Sequence, residues 1–183
     1  MCTADDVGVL TAAEYRRIDS RLPVELVDAT AAVNDAMTVN SRAEIERPRR
    51  ANEICDVGIG AAVDSLAPDI SAIELADETE RAQRRAGSEY NWSITRTEVG
   101  SGHNQVRPDG FTPEPTERRI QRGDLVTLDV HAVDDGYFGD LVAHAYVHHP
   151  GVGGMRLEMP VLVGETGTER LSRVPLDLIR VPA

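Results

Sequence analysis

The chain has 183 residues, 41% of them hydrophobic and only 4% aromatic, enough for one domain with a buried core and a small appendage. Its formal charge is −12, and all 19 basic residues are arginine. That balance argues against nucleic acid, whose phosphates need a basic footprint, and no run approaches the roughly 20 apolar residues of a membrane helix.

Met1-Cys2-Thr3-Ala4-Asp5-Asp6 has neither the basic stretch nor the apolar core of a secretory signal. Cys2 and Cys55 lack metal-ligand spacing, and one pair makes no disulfide framework. A reducing cytoplasm is the expected compartment. Thr11-Ala-Ala-Glu14 is a capping box that opens a helix running to about Leu22, before Pro23. Val24–Val27 reads as a short strand, and Ala29–Met37 as another short helix. Ser41-Arg-Ala-Glu44 is a second capping box. Behind it Ala51, Ile54, Cys55, Gly58, Ala62 and Leu66 form one apolar stripe at helical spacing. Pro48 inside that pattern is expected to kink the helix or delay its start. Ser71-Ala-Ile-Glu74 is a third capping box, with Ile70 and Leu75 placed as a hydrophobic staple and Gly87 as the stop.

From Tyr90 onward the pattern turns to strands. Trp92–Val99 alternates loosely, and 101–117 is a polar, proline-rich loop. Leu125–His131, Tyr137–Val147 and Met155–Val163 read as strands. Gly164-Glu-Thr-Gly167 reads as a turn before a last strand around Glu169–Ser172. In Leu125–His131, Val126, Leu128 and Val130 take one face, while Thr127, Asp129 and His131 take the other. With Asp134 and Asp135 as the two loop residues, Asp129 stands directly opposite Asp140. With Asp135-Gly136 as the loop, the two carboxylates become diagonal neighbours. Like charges so placed destabilise a strand pair. They call for a shared proton, a divalent cation or full solvation on an exposed face.

At this hairpin Arg122-Gly-Asp-Leu-Val-Thr-Leu-Asp129 and Gly136-Tyr-Phe-Gly-Asp140 resemble the metallopeptidase family of methionine aminopeptidase, prolidase, aminopeptidase P and creatinase. Asn40-Ser-Arg-Ala-Glu-Ile-Glu46 resembles the entry into that family's catalytic domain, Ala67–Leu75 the loop into its second helix, and Ser101-Gly-His-Asn104 a substrate-side strand end. Pro150-Gly-Val-Gly-Gly-Met-Arg-Leu-Glu158 and Val161–Ser172 resemble its last strands. The resemblance implies an incomplete pita-bread fold of the α/β (α+β) class, an antiparallel curved sheet with helices packed on one face. Residues 1–38 would be the remnant of an N-terminal creatinase/prolidase-type domain, and 39–183 the catalytic-type domain, lacking a middle segment near 149–150.

In that family two Asp, one His and two Glu hold two divalent ions (manganese, cobalt or zinc), whose bound water attacks a peptide bond, often one preceding proline. Asp129 matches the first Asp, Asp140 the second and Glu158 the final Glu. The resemblance departs where the family's glycine-flanked His motif and its His-Glu-x-Pro segment should lie, because Val147-His-His-Pro150 joins the hairpin directly to the closing strands. The family's catalytic histidine before Arg122 is also absent; Asp109, Phe111 or Thr112 stands near its place. His144, which shares a face with Asp140 by alternation, is a stand-in ligand or a polar strand residue, and His103 a substrate-side donor or a plain loop residue. A small peptide or amide is the substrate this implies. A homodimer is compatible with the reading but supplies no missing ligand, since each copy lacks the same residues. The alternative is a non-catalytic remnant with a binding or dimerisation role.

Acid-rich, lysine-free composition suits a high-salt cytoplasm, in which surplus surface charge keeps protein soluble, although a GC-rich genome also favours Arg over Lys. Adaptation to salt requires a higher melting temperature in molar salt than in dilute buffer; equal melting in both assigns the composition to codon usage.

Overall fold

The computed structural model describes residues 10–89, 96–105, 107–108, 110–146, 158–164, 166–175 and 179–180. The sequence readings at Trp92, Asp109, His148, His149, Pro150 and Met155 lie outside them. The chain divides into two compact units, Met1–Glu44 and Ile45–Ala183. Among the described residues no helix is long and apolar enough to cross a membrane.

In the first unit, α1 (Ala12–Asp19) starts at the expected box: the Thr11 hydroxyl accepts the Glu14 N–H, and the Glu14 carboxylate accepts the Thr11 N–H. α2 (Thr30–Thr38) follows, and neither helix buries a residue. The strand expected at Val24–Val27 is irregular backbone. Val24 and Val27 are exposed and no described strand pairs with them, so local β propensity there meets no partner ladder.

α3 (Arg42–Ser65) begins at the second capping box, where Ser41 N–H donates to Glu44 and Glu44 N–H to the Ser41 hydroxyl. Pro48 lies within the helix and does not delay its start. The expected stripe is the buried one: Ala51, Ile54, Cys55, Gly58 and Ala62 face inward, and Leu66 follows just past the helix end. α4 (Ala72–Arg85) opens on the Ser71–Glu74 box with Leu75 fully buried and Ile70 packed against the core. It closes in a Schellman motif: Ser88 N–H donates to the Gln83 carbonyl and Gly87 N–H to the Arg84 carbonyl, with Gly87 at φ +104°.

Among the described residues six strands follow: β1 (Glu98–Ser101), β2 (Leu125–Asp134), β3 (Tyr137–Tyr146), β4 (Val161–Gly164), β5 (Gly167–Arg170) and β6 (Ile179–Arg180). β1, β2, β3 and β6 form one sheet in that order, and β4–β5 a separate hairpin. The β1–β2 and β2–β3 pairs are antiparallel, whereas β3–β6 is parallel, so the sheet is mixed at one edge. Val126, Leu128, Val130, Ala132, Leu141 and Ala143 pack on Ile54, Ile59, Ala62, Leu75 and Ala76 of the two helices in a single core. This is the expected layout of a sheet with helices on one face.

The β2–β3 register is fixed by a two-residue loop, Asp135-Gly136, with φ of +51° and +79°. Two consecutive left-handed residues match the twist of paired strands, and Asp-Gly is among the sequences that adopt them most readily. Asp134 therefore pairs with Tyr137, and His131 rather than Asp129 stands opposite Asp140. The face-to-face placement of Asp129 and Asp140 is corrected to the diagonal one.

Where β3 crosses α3, contact is backbone on backbone. A Cβ at Gly139 would stand 2.6 Å from the Ala51 carbonyl carbon and 2.8 Å from the Asn52 nitrogen, whereas one at Gly60 meets nothing within 4 Å. Gly139→Ala should lower the urea midpoint by the equivalent of about 1–3 kcal/mol, the usual range for overpacking. Gly60→Ala, on an exposed helix face, should raise stability by about 0.5–1 kcal/mol. Equal effects at the two glycines would contradict the crossing.

Candidate metal centre

The face of β2 turned away from the helices carries Thr127, Asp129 and His131, because successive side chains alternate across the pleat. Asp129 is 6% exposed. Its partner across β1 is Glu98, and across β3 it is Val142. Asp140, opposite His131, is more than half exposed as a side chain. His131 Nε2 stands 3.3 Å from Asp129 Oδ1 and 3.4 Å from Asp140 Oδ1. One ligating atom from each of the three residues lies within 4.8 Å of the other two.

Both ends of His131 are anchored. Nδ1 lies 3.0 Å from the Arg96 carbonyl oxygen. A carbonyl only accepts, so Nδ1 carries the proton and Nε2 faces the carboxylates. The backbone carbonyl of His131 accepts the side-chain amide of Gln83 from α4 at 2.8 Å. The second oxygen of Asp129 is also engaged: the buried Thr112 hydroxyl donates to Oδ2 at 3.2 Å. Thr112 is brought there by the loop after β1, whose Pro113 carbonyl accepts the Val99 N–H.

Negative charge is in excess at this face. Glu98 is only 17% exposed as a side chain. Burial, and next the charge of Asp129, push its carboxyl above the ordinary glutamate range, with Arg96 opposing. Arg96 is shared, 3.9 Å from Glu98 and 2.6 Å from Glu114.

Of the expected ligands, Asp129 and Asp140 converge. Glu158 does not join them: its backbone bridges to Val142, one strand beyond, and it is exposed and outside the three-residue cluster. His144 belongs to β3 opposite Thr127, and its side chain lies outside the described residues. His103 sits exposed in the turn after β1, where Ser101 pairs with Val126, three positions along β2 from Asp129. His131 was legible only as a member of the polar face, and Glu98 carried no sequence signal, since its proximity comes from the β1–β2 register. Cys55 is no ligand. Burial, then the charges of Asp140 and Asp56, push its thiol up, and its Sγ faces the Val130 carbonyl. The surface cleft lined by Pro68, Asp69, Ile70, Glu74, Asp77, Glu78 and Arg119 shares no residue with this face.

Two carboxylates and an imidazole are hard-to-borderline donors suited to manganese, cobalt or zinc, and the set fits one such ion. A pair of ions about 3.5–4 Å apart requires donors on both sides, which these three do not offer.

Helices thus back one face of the sheet, while its other face gathers Asp129, His131 and Asp140. Residues 46–150 match metallopeptidase family M24, and the chain belongs to that family. It is 29% identical over 137 residues to the Xaa-Pro dipeptidase of Pyrococcus furiosus, covering 75% of this chain and 35% of that protein. It is 28% identical over 125 residues to the creatinase of Bacillus sp. (strain B-0618), covering 67% and 30%. The solved Xaa-Pro dipeptidase of Bacillus anthracis superposes with a TM-score of 0.78 at 18% identity, over 93% of this chain and 72% of that one, a likeness of fold. The chain thus spans about a third of the length of these two curated relatives, and its architecture is an incomplete pita-bread fold.

Glu98 gives a stability test. Its folded pKa is raised, so its contribution is most favourable below the unfolded value and is lost as pH rises through the folded one. In protein held free of metal by chelator, Glu98→Gln should raise the melting temperature at pH 7 to 8. The gain should shrink toward its minimum below about pH 4, where glutamate is protonated in both states. A difference independent of pH would remove the burial account.

Proposed function

We propose that this chain is a metal-dependent hydrolase of the Xaa-Pro aminopeptidase, prolidase and creatinase type, acting on a peptide or other amide bond of a small substrate in the cytoplasm. The observation that carries the proposal is the convergence of Asp129 and Asp140, the two residues matched to the family's metal-binding aspartates, with the imidazole of His131. Divalent metal bound there would supply Lewis acidity, which acidifies water and polarises a carbonyl.

The chain's own residues divide the remaining work. Asp129, buried and held by Thr112, fixes one donor oxygen. Asp140 forms the solvent side, through which a substrate amide reaches the centre. Glu98, directly opposite Asp129, keeps the pocket negative and disfavours anionic substrate groups at that spot. Xaa-Pro dipeptides are the first substrates to try, because the Pyrococcus furiosus relative is an Xaa-Pro dipeptidase.

A second reading, a non-catalytic family member that binds or dimerises, is favoured by one observation. Glu158, matched to the family's final glutamate ligand, lies outside the cluster. Purified full chain assayed on Xaa-Pro dipeptides with added manganese or cobalt separates the two. The hydrolase reading expects turnover that falls at least about 100-fold in Asp140→Asn, as loss of a ligand demands. Folded wild-type protein without turnover in either metal leaves the second reading.

A further inference from the structure

Resting on the hydrolase reading above, we propose that Glu98 is a specificity-determining residue, whose carboxylate takes a positively charged group of the substrate, an ammonium or a guanidinium.

Strand register places Glu98 beside the centre without making it part of it. Glu98 and Asp129 are direct partners of the antiparallel β1–β2 pair, so their side chains rise from one face with Cβ atoms about 4.5–5.5 Å apart. Glu98 is nonetheless outside the set of donors formed by Asp129, His131 and Asp140. A group bound to it is therefore a near neighbour of the reacting bond. The α-ammonium of a peptide is separated from its first carbonyl by the α-carbon alone, and a basic side chain leaves the same carbon.

The backbone around Glu98 is fixed from both sides. The N–H of the buried Thr97 donates to the Glu80 carboxylate at 3.0 Å, and the N–H of Val99 to the Pro113 carbonyl at 3.2 Å. The Glu98 side chain is 17% exposed, and its ion-pair partner Arg96 stands 3.9 Å away. A charge-assisted hydrogen bond is about 2.7–2.9 Å long, so this pair lacks one. Arg96 is held where it is: its guanidinium lies 2.6 Å from Glu114, and its carbonyl oxygen 3.0 Å from His131 Nδ1. His131 and Arg107 attract Glu98 less than Arg96 does. A largely buried anion without a close counter-charge is costly. A substrate cation at hydrogen-bond distance supplies what Arg96 leaves short.

The same charge orients the substrate. Glu98, Glu114 and Asp129 together repel a peptide carboxylate from this end of the face. A small Xaa-Pro substrate then lies with its cationic group over β1 and its carboxylate away from it.

The test is calorimetry on the full chain held free of metal by chelator, so that no ion contributes to peptide binding. Two pairs of peptides separate the sources of charge. Ala-Pro against N-acetyl-Ala-Pro reads the α-ammonium, and N-acetyl-Arg-Pro against N-acetyl-citrulline-Pro reads the side chain. In at least one pair the cationic member should bind at least about 10-fold more tightly, the scale of a hydrogen bond to a charged group. Glu98→Gln, which the stability argument above expects to fold and circular dichroism checks, should abolish that preference. Preference in neither pair, or preference that survives in Glu98→Gln, overturns the proposal. A Glu98-dependent preference without Xaa-Pro hydrolysis in manganese or cobalt keeps Glu98 as the cation-binding group and removes the hydrolase reading. Hydrolysis of Ala-Pro by protein with no such preference does the reverse.

Discussion

The register of the β2–β3 hairpin is the constraint on which everything else at this face depends. A strand that slips by one residue turns every side chain to the opposite face. Here such a slip would put Asp129 and His131 against the helices and expose Leu128 and Val130. Several groups hold the register. Asp135 and Gly136 take the left-handed backbone that the short loop requires. The Glu89 carboxylate accepts both of their N–H groups, at 2.8 and 3.1 Å. Glu89 N–H donates in turn to the Val133 carbonyl, and Val133 N–H to the Ser88 hydroxyl. Arg47 of α3 pairs with Asp134 and Asp135. The end of α4 and one turn of α3 thus clamp the loop that sets the site's geometry.

The same helices reach the site through the sheet. Gly58 lets α3 approach α4 closely: a Cβ there would stand 2.8 Å from the Gln83 side chain. Gln83, fully buried, uses its amide to hold the His131 carbonyl. Gly139 lets β3 lie on the backbone of Ala51. The first approach packs α3 on α4 and the second seats the hairpin on α3, so the hairpin's polar face is backed by the core rather than by loop packing. Donors fixed this way lose little freedom on binding an ion, which is what preorganisation means physically. Of the three, only Asp140 has a side chain that is more than half exposed.

Much of this was legible in the sequence, because the decisive signals were local. Three capping boxes named three helix starts, since the reciprocal hydrogen bonds involve residues only three apart. The apolar stripe of α3 was right because helical spacing alone selects its buried face. The hairpin's two faces followed from alternation. What failed was whatever depended on a partner. Val24–Val27 has strand composition but no strand beside it. Pro48 lies inside α3; of the kink or delay it predicts, the delay is absent, because the Ser41–Glu44 box sets the helix start ahead of it. The parallel β3–β6 pair escaped notice because a two-residue strand carries no period. Glu98 was invisible as a site residue because only the β1–β2 register brings it to Asp129. The choice between Asp134-Asp135 and Asp135-Gly136 as loop was posed correctly by the sequence but needed backbone angles to settle.

The shift from face-to-face to diagonal aspartates changes the chemistry. Directly opposed carboxylates would be a self-contained acidic pair with room for nothing between them but a proton or a metal. In the diagonal arrangement the position opposite Asp140 belongs to His131, and the pair becomes a triangle with an imidazole nitrogen at one corner. All three corners lie within residues 129–140 of one hairpin, so a single tight turn is enough to assemble them. Glu158 is different: it meets the sheet at Val142, a full strand beyond Asp129, and strands are about 4.8 Å apart. A glutamate there would bind jointly with Asp129 only if its side chain reached back across Val142, and in this structure it is exposed instead. A centre built from one hairpin therefore has lower conformational requirements than one assembled across four strands. That locality is the physical reason Asp129, His131 and Asp140 converge whatever the rest of the sheet does.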